Sequence, residues 1–70
     1  MQTHATEIRV HDGEFVMQMT QMRIWLDDRR FEPSTFRYSH IGGSVVIRVD
    51  FKIHDEAIAF AEEFRGRMLR

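Results

Sequence analysis

Four histidines, His4, His11, His40 and His54, are the side chains here best suited to bind a metal or move a proton near neutral pH. No two of them stand at the helical or hairpin separation of a zinc motif, so they read as surface and end-of-element residues. No metal site is expected. The neighbouring carboxylates Asp12 with Glu14, Asp27 with Asp28, and Glu62 with Glu63 fit helix capping and solvated helix faces. Acid–base chemistry would need two such groups in distinct environments. His11 beside Asp12 has the composition of a dyad, but no serine or threonine nucleophile can be assigned to it. Gly42-Gly43 lacks the further glycines and the following helix of a phosphate loop. Neither enzymatic activity nor a cofactor is expected.

The other chemistry on offer is cationic. Nine of the ten basic residues are arginine, with Lys52 the one lysine, and a guanidinium suits planar paired contacts with carboxylates or phosphates. Eleven acidic residues bring the formal net charge to −1, which gives no overall field toward nucleic acid or anionic lipid, so any anion binding must be local. The absence of cysteine in a chain of this size leads to an expectation of a reducing, cytoplasmic setting. Met1 to Thr6 has neither a basic start nor an apolar run and is not expected to act as a signal peptide. No stretch approaches membrane-spanning length.

The elements that must position these groups follow from periodicity. Seventy residues, 43% of them apolar, leave room for one core and one domain, residues 1–70, with 1–5 expected as a loose tail. Ile8 and Val10 alternate with Glu7, Arg9 and His11, which predicts a first strand. Asp12 is placed to cap a helix starting near Gly13 or Glu14. Phe15, Met19, Met22 and Leu26 line one face of that helix, and Pro33 requires it to end around Arg29 to Phe31. Phe36 and Tyr38 alternate in a second strand, and Gly42-Gly43 turns it into a third. In that third strand Val45, Ile47, Val49, Phe51 and Ile53 share one parity, which marks it as central. A second helix is expected from His54 or Asp55, with Ala57, Phe60, Ala61, Phe64 and Met68 inward. Gly66 is a natural stop, although Arg67 to Arg70 could equally fray onward.

A right-handed crossover makes strands one and two parallel, with strand three antiparallel between them. The expected fold is α+β: a βαββα two-layer sandwich with a three-stranded mixed sheet of order 1-3-2 and both helices on one face. This arrangement resembles a ferredoxin-like fold lacking its last strand, and the run from Phe51 to Ala61 resembles the strand-to-helix end of such domains. Trp25-Leu26-Asp27, with Glu32-Pro33-Ser34-Thr35-Phe36-Arg37-Tyr38, is similar to segments of small uncharacterised bacterial α+β proteins. That resemblance implies no function to transfer.

Two surfaces stand out. Docking the first helix through Phe15, Met19, Met22 and Leu26 leaves Met17 and Ile24 on its far side, flanked by Val16 and Trp25. A small domain short of core commonly gains stability from a partner subunit. The chain is therefore expected to be a structural or interaction module acting as a homodimer. Its interface would be Val16, Met17, Ile24 and Trp25, a free edge of strand one or two, or both; the competing expectation for Met17 is that it packs under the amino-terminal tail. The alternative is a small anionic-ligand-binding domain. It would use Arg9, Arg37, Arg48 and Lys52 on the open sheet face, or a cavity between two such faces. That face carries no aromatic side chain on which bases could stack, so nucleic acid is not the expected partner.

Overall fold

The alternation beginning at Val45 forms a central strand in the computed structural model, which describes residues 2–69. The elements are β1 (His4–His11), a 3₁₀ turn (Asp12–Glu14), α1 (Phe15–Arg29), β2 (Thr35–Ile41), β3 (Ser44–Phe51), α2 (His54–Glu63) and β4 (Arg67–Met68). The sheet order is β2-β3-β1-β4. The expected 1-3-2 arrangement is thus contained in it, with a fourth strand added beside β1. The sheet is not mixed, because every hydrogen-bonded pair is antiparallel. The parallel pair, β1 and β2, is separated by β3.

Val45, Ile47, Val49 and Phe51 from β3 are fully buried, and with Ile8 of β1 they meet Met22 and Leu26 of α1 and Ala57 and Phe60 of α2. Each of these side chains larger than Ala57 contributes roughly 1.5–3 kcal/mol relative to exposure. Both helices therefore sit on one sheet face. Thr6 lies on that face opposite Val49, and its hydroxyl donates a 2.9 Å hydrogen bond to the Val49 carbonyl oxygen. A polar group enters the core here with its donor satisfied.

Several local expectations change. β1 begins at His4 and Ala5 is buried, so residues 4 and 5 are sheet rather than tail, held by the β3 ladder and by the Leu69 N–H donating to the Ala5 carbonyl. Met1, placed in the same tail, and Arg70, placed in the frayed end, lie outside the described residues. Asp12 does not cap α1. It opens the 3₁₀ turn, and its carboxylate lies 3.3 Å from His40 Nδ1 instead. β3 ends at Phe51, and Ile53 is exposed as the residue before α2, because helix entry interrupts the pleat. Met68 does reach the core, but from β4 rather than from the helix.

Both helices end in the same way. Arg30 and Arg65 take the left-handed conformation, with φ of 58° and 55°. The Phe31 N–H donates to the Leu26 carbonyl, and the Gly66 N–H donates to the Ala61 carbonyl. These are Schellman closures with arginine where glycine is favoured. Gly66, expected to be the helix stop, is used one position later for close approach to β1.

Candidate functional site

The two helices cover β1 and β3 and leave β2 at the margin. Phe36, Tyr38 and His40 pair with Val49, Ile47 and Val45, so they face the helix layer. Tyr38 is nevertheless 53% exposed. At the start of α1, Phe15 closes onto this strand with its ring 4.9 Å from Tyr38 and 5.8 Å from His40. At the other end the chain returns to β2 through Phe31 and Pro33. Between them lies an open groove of about 800 Å³, walled by Met19, Ile24, Leu26, Phe31, Phe36 and Tyr38, with Arg23 and Asp27 among its polar residues.

Of the expected interface residues, Val16, Met17 and Ile24 are exposed at 76%, 62% and 63%. Among the described residues, the amino-terminal segment does not cover Met17. Trp25 departs from the expectation. It is half-buried, edge-on to Phe31, Phe60 and Phe64 at 5.6–5.8 Å, and covered by the Arg29 guanidinium 4.4 Å from its ring centroid. Its indole N–H is enclosed without an acceptor among the described residues. Strand one offers only part of the expected free edge, because β4 pairs with Thr6 and Glu7 and leaves Ile8 to His11 without a strand partner on that side among the described residues. Strand two does: β2 pairs with β3 alone.

On the face away from the helices, Glu7, Arg48 and Arg37 form one cross-strand row, with Arg67 at its end beside Glu7. Arg67 donates from Nε and Nη2 to Glu7 Oε1 at 3.0 and 2.8 Å. Arg48 Nε donates at 3.2 Å to the buried Asp50 carboxylate two residues along the same strand. Of the four expected anion-binding residues, Arg48 is thus committed to an internal pair. Arg37 stands directly opposite it, Arg9 opposes Val46, and Lys52 lies beyond the last residue of β3. Among the described residues of the strands on this face, His11 is the one aromatic ring; no Phe, Tyr or Trp stands there.

The histidines do not converge into a metal site. The His4 and His54 rings meet edge-on at 5.0 Å, but no group of three or more His, Asp or Glu side chains that could hold a metal ion occurs among the described residues. His11 is not joined to Asp12 as a dyad; His40 is Asp12's neighbour. Among the described residues no helix is long and apolar enough to cross a membrane.

The groove was missed at the sequence level. A signal was present: two helices laid over a central strand leave an edge strand under-covered, and β2 carries both Phe36 and Tyr38. Comparison with protein-family models, with curated proteins and with solved structures gives no match to this chain.

Proposed function

We propose that the chain is a protein-interaction module that acts as a homodimer by pairing β2 with β2 of a second copy. The observation that carries this reading is the undefended edge of β2 beside the apolar groove. Sheet edges are normally protected by brevity, lysine, proline or a bulge. At the other margin β4 is only two residues long and carries Arg67, and the uncovered part of β1, Ile8 to His11, is four residues carrying Arg9. β2 is seven residues of Thr-Phe-Arg-Tyr-Ser-His-Ile in unbroken register, with no proline, no lysine and one full charge.

A twofold antiparallel pairing centred on Tyr38 sets Thr35 against Ile41, Phe36 against His40 and Arg37 against Ser39 of the other copy. No full charge then faces its like, which satisfies the isologous requirement of a symmetric dimer. The two α1 helices would flank the junction, bringing Ile24 and both grooves out of water. The element order βαββαβ supports a ferredoxin-like reading of the fold with its last strand reduced to two residues. That analogy carries no activity. The lack of cysteine supports a cytoplasmic setting.

Sedimentation velocity at micromolar concentration should give twice the 8.4 kDa protomer mass. Tyr38→Lys places two like charges face to face across the axis and should yield a folded monomer. A monomeric wild type would end the proposal. So would a Tyr38→Lys dimer that is dissociated by Met17→Glu/Ile24→Glu, since that pattern puts the interface on the outer face of α1.

A further inference from the structure

At the opposite margin of the sheet, the turn from α2 into β4 comes down on β1 and forms a recess of about 320 Å³. Its lining is Glu7, Arg9, Arg65, Gly66 and Arg67, three guanidinium groups against one carboxylate. Glu7 and Arg67 neutralise one another through the two hydrogen bonds to Oε1. Arg9 and Arg65 have no ion-pair partner among the described residues. Two uncompensated positive charges therefore border one small concavity in a chain of formal net charge −1.

The crowding is built into the backbone. β4 pairs Arg67 with Glu7, and one step further Gly66 presses on Ile8. That approach carries Arg65 toward Arg9, and the left-handed conformation at Arg65 fixes the direction of the turn. Two guanidinium groups lining one recess repel one another, and an anion between them relieves that repulsion. The volume is at the small end of ligand sites, about 300–1,000 Å³, and suits a compact anion better than an extended one.

The geometry points to a binding site for a small phosphate-type dianion, held between Arg9 and Arg65 with Arg67 oriented by Glu7. Guanidinium forks match the spacing of phosphate oxygens and form the stronger, charge-assisted hydrogen bonds. The lining of the recess is guanidinium, carboxylate and glycine backbone with no ring on which a base could stack, which directs the site to a discrete phosphate group. The recess is at the β4 margin and β2 is at the other, so this inference stands or falls independently of the dimer.

The test is a titration of backbone amide resonances at low salt with inorganic phosphate and, separately, with glucose 6-phosphate. Saturable shifts centred on residues 7–9 and 65–67 are expected. Arg9→Gln and Arg65→Gly should each weaken binding by about tenfold or more, the loss appropriate to a charge-assisted donor. Arg65→Gly relieves the left-handed strain, so it tests the charge in a chain that still folds. Arg37→Gln, on the far strand, should leave the affinity unchanged. Equal affinity for the two ligands would identify the bare anion as the occupant, and tighter glucose 6-phosphate binding would identify an ester. An absence of saturable shifts would overturn the proposal, as would shifts distributed equally over Arg37 and Arg48 or binding indifferent to Arg9→Gln and Arg65→Gly.

Discussion

Gly66 lies so close to Ile8 that a Cβ on the glycine would fall 2.5 Å from Ile8 Cγ1, and 2.6 Å from the neighbouring Glu7 carbonyl oxygen. The side-chain atom could shift, but the carbonyl oxygen belongs to β1 backbone inside the sheet. Gly66→Ala should therefore destabilise by about 3 kcal/mol, the upper end of typical overpacking costs. A single core of this size rarely supplies more than ~3–5 kcal/mol. Urea denaturation should find a sharply lowered midpoint and a partly unfolded population in buffer; a midpoint equal to wild type would contradict the close approach.

Arg30 offers the opposite opportunity. It closes α1 at φ 58°, a conformation that burdens any residue with a Cβ by about 1 kcal/mol. Arg30→Gly should recover that amount and raise Tm by about 4–8 °C. Calorimetry showing a lower Tm would mean that the arginine side chain contributes more than the strain removes.

Thr6→Val keeps the shape of a fully buried side chain and deletes its 2.9 Å bond to the Val49 carbonyl. The expected loss is about 1 kcal/mol, that of one neutral hydrogen bond. A chemical denaturation midpoint unchanged from wild type would show that this bond contributes nothing net.

Phe60 joins the sheet core to the aromatic cluster, with ring centroids 5.3 Å from Phe51, 5.0 Å from Phe64 and 5.8 Å from Trp25. Truncation of such a residue costs about 3–5 kcal/mol. Phe60→Ala should unfold the chain, whereas Phe60→Leu should fold with reduced stability. The sole tryptophan, Trp25, reports both outcomes through its emission wavelength. Native-like emission from Phe60→Ala would contradict the assignment of Phe60 as the link.

The architecture was readable where one signal dominated. Period-two alternation from Val45 to Phe51 and the four-three-four spacing from Phe15 to Leu26 each have one good structural answer, and Gly42-Gly43 supplies the turn between two such strands. The same alternation misled at Ile53, where β-type patterning runs on into a helix entry. β4 was illegible because two residues cannot display a period; what creates it is the fit of Gly66 on Ile8, a tertiary fact. Arg65 beside Gly66 shows the same limit, since local preference assigns the left-handed position to the glycine and packing assigns it to the arginine. Of the surface residues, Val16, Met17 and Ile24 were legible from helical angle alone. Trp25 was not, because Phe31, Phe60 and Phe64 come to it from elsewhere. The groove beside Tyr38 depends on how far α1 stands from β2, which no periodicity encodes.

Thr6 paired with Met68 sets the first and last strands side by side. The covalent order of the elements is therefore nearly circular. A short glycine linker between these strands would close the ring, and new ends could be opened at the surface turn of Gly42-Gly43 without interrupting the central β1–β3 ladder. Circular permutants cut there are the natural means of asking whether the hairpin must form first for the rest of the sheet to assemble.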